Sequence, residues 1–233
     1  SDVYKRQATL AEIRWLGHSA FQIKMANKTI LIDPWIKGNP TCPISLDDIG
    51  QVDLVCVTHD HADHMGDAIE ICKRTGATLV GIHEISVYAE EQGVNAIGMN
   101  IGGTLHVDDV AITMVHAFHS CERGFPVGFV ISAGGLGIYH AGDTGLFQDM
   151  QLIGRLYNPR VALLPIGGHY TMGPREAVEA AKLIKPEEVI PMHYASFPVL
   201  EKDPERFIQL MKQEAPEIKV IALKPGEIHR IEE

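Results

Sequence analysis

The chain has few cysteines, no long apolar run and fewer basic than acidic residues. Its four cysteines show no paired spacing, which argues against a disulfide-stapled secreted domain and predicts a reducing, cytoplasmic location. No apolar segment approaches the roughly 18 residues of a membrane-spanning helix, and no secretory signal opens the chain. We therefore expect no membrane span.

Positive charge is scarce, since 30 acidic residues outnumber 20 basic ones and give a formal net charge of −10. Nucleic-acid binding rests on Lys and Arg that neutralise phosphates, so nucleic acid is not an expected partner. Hydrophobic residues make up 45% of the 233 residues, enough for one large core. Residues 1–7 carry no periodicity and are predicted to be a leader or an expression remnant, and residues 8–233 are predicted to form one domain.

Short β-rich runs and helical periodicities succeed each other in a similar order in both halves of the chain. The first half has strand patterns near residues 10–15, 20–25 and 29–32, and strand–helix alternation follows. The second half repeats this order and ends with a predicted closing strand from Lys219 to Ala222. The pattern predicts an α/β four-layer sandwich, in which two mixed β-sheets pack together and helices cover their outer faces.

One segment concentrates residues that bind metals. Three histidines and two aspartates lie within residues 58–64, directly after an apolar, β-rich run. Side chains alternate along an extended chain, so His59 and His61 can face the same ion. Asp63 and His64 follow beyond the bend, where they can serve a second ion. The segment therefore predicts a metal site in a loop at a strand end.

Three later strand ends carry further ligand-type side chains. Ends of neighbouring strands meet at one edge of a sheet, so we expect these side chains to join the first cluster. The predicted ligands are then five imidazoles and two carboxylates: His59, His61, Asp63, His64, His119, Asp143 and His193. This set suits zinc first, and also manganese, iron or nickel. Seven ligands exceed the need of one tetrahedral ion, so two divalent ions that share a bridging carboxylate are predicted.

Other side chains compete for a role. His116 precedes His119 by three residues but belongs to an alternating apolar run, which favours His119 as the ligand. Cys121 is either a thiolate ligand or, as we favour, a small buried or rim residue. His169 ends a strand beside two glycines, and it is a candidate to contact a substrate anion or to donate a proton to the leaving group; a structural role is the alternative. His140 is expected to support the ligands or to pack. No role is assigned to three further histidines: His83, His106 and His229.

The order His59-x-His61-x-Asp63-His64, then His119, Asp143 and His193, resembles the metallo-β-lactamase superfamily over most of the chain. Residues 15–21 (Trp-Leu-Gly-His-Ser-Ala-Phe), 31–34 (Leu-Ile-Asp-Pro) and 191–194 (Pro-Met-His-Tyr) resemble a branch of small bacterial metal-dependent hydrolases. That branch is similar to ascorbate-6-phosphate lactonases and, more distantly, to N-acyl phosphatidylethanolamine phospholipase D. The lactamases proper have Cys where this chain has Asp143, which argues against antibiotic turnover.

The resemblance implies a fold, an αβ/βα sandwich, and roles for individual residues. His59, His61 and His119 would hold the first ion, with Asp143 as the bridge. The second ion would be held by three residues: Asp63, His64 and His193. Asp33 would accept an N–H from a ligating histidine and so fix its tautomer. His18 would line the mouth of the site and contact substrate.

The predicted activity is hydrolysis of a small ester or lactone by a metal-bridging hydroxide, with Asp63 as the catalytic residue that orients the nucleophile. A phosphodiesterase that acts on a lipid-like or nucleotide substrate is the alternative from the same chemistry. A non-catalytic metal-binding protein is the alternative from another class, although such a protein would have no chemical need for the full ligand set. The predicted partner is a small-molecule substrate, and the sequence leaves a homo-oligomer open.

Overall fold

A computed structural model describes residues 8–233, so the predicted leader at residues 1–7 lies outside the described residues. The strands are β1 (Thr9–Trp15), β2 (Phe21–Met25), β3 (Lys28–Ile32), β4 (Leu54–Cys56), β5 (Thr78–Ile82), β6 (Ala96–Met99), β7 (Thr104–Val107), β8 (Val110–His116), β9 (Val127–Ala133), β10 (Leu136–His140), β11 (Val161–Pro165), β12 (Glu188–Met192), β13 (Lys219–Val220) and β14 (Ile228–Glu232). The α-helices are α1 (Ala62–Met65), α2 (Ala68–Thr75), α3 (His83–Glu91), α4 (Met150–Tyr157), α5 (Pro174–Ile184) and α6 (Glu205–Glu214).

The strands form two seven-stranded sheets with the same internal plan. The first sheet has the order β14-β1-β2-β3-β4-β5-β6, and the second, read from its corresponding edge, has the order β7-β8-β9-β10-β11-β12-β13. In each sheet the first three pairings are antiparallel and the other three are parallel. Helices α2 and α3 contact β5 of the first sheet, and α5 contacts β11 of the second. The predicted α/β sandwich of two mixed sheets is therefore confirmed.

The burial of the strands follows their place in the sheets. Every residue of the central strands β4, β10 and β11 is buried, as expected where both faces of a sheet are covered. In β1, nearer an edge, buried residues alternate with partly exposed ones. The predicted ligands after β4 and β10 therefore follow strands that are buried along their whole length.

Some elements differ from the sequence prediction. The strand at Lys219 does not close the chain, because β14 follows it and pairs antiparallel with β1 of the first sheet. Ile231 is the one buried residue of β14, so its apolar pattern is too weak to identify. The strand β6 and the short helix α1 also escaped prediction, and α1 places Asp63 and His64 on one helical turn.

The structure also describes the state of the cysteines and the length and hydrophobicity of the helices. The four cysteines are free thiols, in line with their unpaired spacing. Among residues 8–233, no helix combines the length and the hydrophobicity needed to cross a bilayer.

Candidate metal centre

The predicted metal ligands meet in space although they come from both sheets. Those of the first sheet follow β4, and those of the second follow β8, β10 and β12. Their ligand atoms form two groups of four residues, within each of which all atoms lie within 4.8 Å of one another; a smaller, overlapping group joins Asp33 to His59 and His64. The first group is His59, His61, His119 and Asp143, and the second group is His18, Asp63, His64 and His193. The grouping matches the division implied by the resemblance, except that His18 joins the second group.

The tautomer of His59 is set by the residue before it. Thr58 is fully buried, and its Oγ1 lies 2.6 Å from Asp33 Oδ2 and 2.9 Å from His59 Nδ1. The hydroxyl donates to the carboxylate and can therefore accept the Nδ1–H of His59. This leaves Nε2 of His59 as the unprotonated nitrogen, which faces Asp143 at 3.6 Å.

Asp33 fixes a second imidazole directly. Its Oδ2 lies 2.8 Å from His64 Nδ1, and its Oδ1 accepts the backbone N–H of Thr58 at 2.8 Å. The carboxylate is fully buried, and the backbone of Asp33 is left-handed (φ 47°), a conformation that costs energy in a non-glycine residue. The structure thus places Asp33 against an imidazole that carries a predicted ligand nitrogen on its other side.

Asp143 lies between the two groups. Its Oδ2 is 2.9 Å from His64 Nε2, 3.4 Å from His119 Nε2 and 3.6 Å from His59 Nε2. Its Oδ1 is 3.1 Å from His193 Nε2. One carboxylate therefore contacts imidazoles of both groups, which is the position that a bridging ligand requires.

The turn before Asp143 is fixed by its neighbours. Gly142 has φ 64°, and a Cβ at this position would lie 2.6 Å from the Val127 carbonyl oxygen, so only glycine fits without a shift. The backbone N–H of Gly142 donates to His140 Nδ1 at 3.1 Å, and His140 Nε2 lies 3.0 Å from the Ser19 carbonyl oxygen. His140 thus supports the turn that carries Asp143.

Several buried atoms at this centre have no hydrogen-bond partner among the described residues. They are His64 Nε2, Asp143 Oδ1 and both ring nitrogens of His193. Two of them lie close together, since His193 Nε2 is 3.1 Å from Asp143 Oδ1, but without hydrogen-bond geometry. Each unpaired buried polar atom costs about 1–3 kcal/mol. Imidazole and carboxylate donors aimed at one another in this way fit a divalent metal ion such as zinc.

Burial and neighbouring charges shift the proton affinities of these groups. Burial lowers the pKa of His59 and of His119, which favours the neutral form that a metal ligand needs. Burial also opposes a charge on His64, but Asp143 and Asp33 outweigh it and raise its pKa. For Asp143, burial alone would raise the pKa, whereas His193 and His64 bring it well below the usual range. The His64–Asp143 pair therefore holds a proton that a metal ion must displace.

A cavity of about 510 Å³ opens over both groups. Its floor consists of predicted ligands: His61, Asp63, His119, Asp143 and His193. The facing wall is apolar and is formed by Tyr170, Phe197, Pro198 and Val199. Ser120 completes the lining, which contains no Lys or Arg from residues 8–233.

The structure contradicts two predicted substrate contacts. His18 does not line the mouth of the site, because its side chain is fully buried and its Nε2 lies 2.8 Å from Asp63 Oδ2. Its backbone is left-handed (φ 56°), and its carbonyl oxygen accepts from Trp15 Nε1 and from the His193 backbone N–H, so the loop turns inward. Its predicted place at the mouth is therefore wrong.

His169 is not among the residues that line the cavity. It lines an adjoining depression with Gly167 and Gly168, whereas Tyr170 lines the cavity wall. The backbone of His169 is left-handed (φ 61°), and its ring packs edge-on against the ring of Tyr170 with centroids 4.6 Å apart. The glycine at 167 does not admit substrate, because a Cβ there would overlap the His193 carbonyl oxygen. The predicted catalytic and substrate-binding role of His169 is not supported by this placement.

The competing residues separate clearly. His119 joins the first group, whereas His116 packs against the ring of Phe147 with centroids 4.5 Å apart. The Cys121 thiol donates to the carbonyl oxygens of Arg123 and Gly124. Within the described part of the chain, the ligand groups do not include the cysteine or three other histidines: His83, His106 and His229.

Two residues at this centre were not predicted from the sequence. Thr58 precedes the histidine cluster, and its place beside a ligand histidine was the available signal. Ser196 contacts His18 from a different loop, and nothing in its sequence neighbourhood indicates this.

Comparison with known proteins agrees with this geometry. A family model described as a beta-lactamase superfamily domain matches residues 28–194. The chain is 53% identical over 219 residues to a UPF0173 metal-dependent hydrolase of Caldivirga maquilingensis, covering 93% of this chain and 96% of that one. It is 54% identical over 225 residues to a UPF0173 metal-dependent hydrolase of Methanopyrus kandleri, covering 92% and 97%.

A solved structure is similar over nearly the whole chain. Igni18, a metallo hydrolase from the hyperthermophilic archaeon Ignicoccus hospitalis, superposes with a TM-score of 0.91 at 46% identity and covers 95% of this chain and 98% of its own. Both the predicted family and the predicted enzyme class are confirmed by these relatives. The chain belongs to the metallo-β-lactamase superfamily and is a metal-dependent hydrolase.

Proposed function

We propose that the protein is a dinuclear metal-dependent hydrolase of small, uncharged esters or lactones. One observation carries the proposal: two groups of ligand atoms, joined by Asp143, form the floor of a cavity whose other wall is apolar. His59, His61, His119 and Asp143 would hold one ion, and Asp63, His64, His193 and Asp143 the other. Two divalent ions, zinc in the first place, would supply an activated water near neutral pH and would polarise the bond under attack.

Asp63 is the residue best placed to act on the nucleophile. Its side chain is about a quarter exposed (24%), and it lines the cavity. Burial alone would raise its pKa, but the hydrogen bond from His18 and the neighbouring His64 imidazole bring the pKa well below the usual range. A carboxylate that stays ionised can accept a hydrogen bond from water in the cavity and so orient it.

The cavity wall indicates the class of substrate. The rings of Phe197 and Tyr170 and the side chain of Val199 offer apolar contact. A phosphorylated or otherwise anionic substituent would need a cation to pair with, and the described part of the chain places neither Lys nor Arg in the lining. This favours an ester or lactone with an apolar, uncharged substituent over a sugar-phosphate lactone.

The test is a hydrolysis panel with protein loaded separately with zinc and with manganese. The panel contains aliphatic lactones, p-nitrophenyl esters of increasing acyl length, a phosphorylated lactone, phosphodiesters and amides. We expect turnover of the uncharged esters or lactones, and loss of both turnover and one ion in the variant H59A/H61A. Turnover confined to anionic substrates, or an H59A/H61A variant that keeps full metal content and activity, would refute the proposal.

A matched pair of phenylalanines tests the apolar wall. Phe197→Ala removes a ring from the cavity, so we expect KM to rise most for the substrates with the longest acyl chains. Phe125→Ala removes a ring that is 67% exposed and does not line the cavity, and it should leave the kinetics unchanged. Equal effects of the two substitutions would show that Phe197 does not contact substrate.

A lipid-like phosphodiester is the second candidate, and a specific feature favours it. The side chains of Tyr170 and Val199 line the cavity and are also 59% and 53% exposed, so the rim is apolar. Phe118, next to the predicted ligand His119, is 62% exposed. Phosphodiester turnover that increases with acyl chain length, without ester turnover, would select this candidate. The expected cytoplasmic location and a homo-oligomer stay predictions.

A further inference from the structure

His18 and His119 hold equivalent positions: His18 follows a strand of the first sheet, and His119 follows the corresponding strand of the second sheet. Strands β1 and β8 hold corresponding places in their sheets, and each histidine follows the end of its strand by three residues. His119 reaches the cavity, whereas His18 is fully buried and its ring centroid lies 4.0 Å from that of His193. His18 is thus enclosed directly beneath the second ligand group.

Both ring nitrogens of His18 have side-chain partners. Nε2 lies 2.8 Å from Asp63 Oδ2, and Nδ1 is in hydrogen-bond contact with the hydroxyl of Ser196, a residue that is only 6% exposed. A neutral imidazole has one N–H, so one nitrogen donates and the other accepts. Asp63 as a carboxylate can only accept, and this requires the proton on Nε2. The Ser196 hydroxyl must then donate to Nδ1.

The contact from His18 leaves part of Asp63 available. Within residues 8–233, the hydrogen bond from His18 and the 3.3 Å contact with His64 Nε2 both involve Oδ2 of Asp63. The other oxygen, Oδ1, has no such partner in this range. His18 therefore restrains the carboxylate from behind without occupying both of its oxygens.

We propose that Ser196 and His18 are a positioning pair for the second metal ion: the Ser196 hydroxyl donates to Nδ1 and so stabilises the Nε2–H tautomer of His18 that Asp63 requires, and this N–H holds the Asp63 carboxylate in place. The inference rests on the proposed two-metal site. Without the hydroxyl, the buried Nδ1 lone pair has no donor, the Nε2–H tautomer loses this stabilisation, and the ring holds the carboxylate less firmly. Groups that orient metal ligands in this way typically contribute about 10–100-fold to metal affinity.

The first experiment measures zinc binding by titration calorimetry and metal content by mass spectrometry in the full-length protein. Ser196→Ala should weaken binding of the second ion about 10–100-fold and leave the affinity for the first ion unchanged. Ser196→Thr keeps the hydroxyl and should restore binding. Ser86→Ala is the matched control. Ser86 is 5% exposed, and its hydroxyl donates to the backbone carbonyl oxygen of His83, a residue that is not a predicted ligand.

A second pair of variants separates the two ring nitrogens. In His18→Gln the amide nitrogen can reach the position of Nε2 and donate to Asp63, whereas the shorter side chain of His18→Asn reaches only the position of Nδ1. We expect His18→Gln to keep the second ion and His18→Asn to lose it. The tautomer is observed directly by long-range ¹H–¹⁵N spectra of the zinc-loaded protein, with the His18→Gln spectrum identifying the signal.

The expected spectrum shows His18 protonated at Nε2. A proton on Nδ1 in the zinc-loaded protein would mean that Nε2 binds metal itself, and would overturn the proposal. Two ions bound equally tightly by the wild type and by Ser196→Ala would overturn it as well, while leaving the two-metal hydrolase intact. A wild-type chain that binds one ion overturns the proposed dinuclear site, and this proposal with it.

Discussion

The hydroxyl of Thr58 links two supports of the metal centre, and replacing Thr58 by Val removes it with little change of shape. The hydroxyl donates to Asp33 at 2.6 Å and accepts from His59 at 2.9 Å. A hydrogen bond to a charged group contributes about 1.5–3 kcal/mol and a neutral one about 0.5–1.5 kcal/mol. The methyl group that replaces the hydroxyl recovers about 0.8 kcal/mol of this, so we expect the free energy of unfolding to fall by about 1–4 kcal/mol.

The assay compares wild type and Thr58→Val in the metal-free state by denaturant unfolding and by thermal melting. At about 2–4 °C per kcal/mol for a chain of this size, the melting temperature should fall by roughly 2–16 °C. Zinc titration of the same proteins should show about 10–100-fold weaker binding of the ion at the first group, because the tautomer of His59 is no longer fixed.

Thr113→Val is the control for losing a buried hydroxyl. Thr113 is 6% exposed, and its Oγ1 lies 2.8 Å from that of Thr104 on the neighbouring strand. This variant should lose only about 0.5–1.5 kcal/mol and keep its zinc affinity. The reasoning is refuted if Thr58→Val and Thr113→Val lose the same stability and both bind zinc as the wild type does.

Gly142→Ala should lower both stability and zinc affinity, because the new Cβ meets the Val127 carbonyl oxygen. Gly135→Ala is the control, since Gly135 also has a positive φ (82°) but has open space around it. Equal losses in the two melting curves would contradict this explanation. Zinc binding should release a proton, and zinc affinity should rise with pH, because Asp143 and Asp33 raise the pKa of His64 against the effect of burial. Calorimetry in buffers of different ionisation enthalpy measures the proton release. Its absence would show that the His64–Asp143 pair holds no proton. The metal-free protein should lose stability as the pH falls from 6.5 to 4. Burial lowers the pKa of His18 to about 4, so over this range the unfolded chain binds more protons than the folded one. This contribution is of the order of 3 kcal/mol, and a melting temperature that stays constant between pH 6.5 and pH 4 would count against it. His64 acts in the opposite sense, but only above pH 6.5.

Much of the fold could be predicted because its signals are local. The β-rich runs at β1, β3 and β10 and the apolar stripe of α5 are read within a few residues of each other. Elements with little or no buried surface, such as β6 and β14, gave no comparable signal and were missed. The partner of β14 is β1, at the opposite end of the chain.

The ligand types were also readable, because the spacing of His59, His61 and His64 is a local property and the remaining ligands follow strand ends. The orientation of side chains in the loops was not readable. His18 and His169 both have left-handed backbones, which turn one beneath the site and the other away from it. Such conformations are imposed by surrounding contacts and have no pattern in the sequence.

The sequence by itself determined the two mixed sheets, the residue types of a metal centre and the loops that carry them, because periodicity and spacing encode these features. The tertiary structure alone decided that Asp143 lies between two groups, that Thr58 and Ser196 set the tautomers of two buried histidines, and that an uncharged, apolar wall faces the ligands. These features depend on contacts between residues up to 178 positions apart in the chain, which form only when the two sheets pack together.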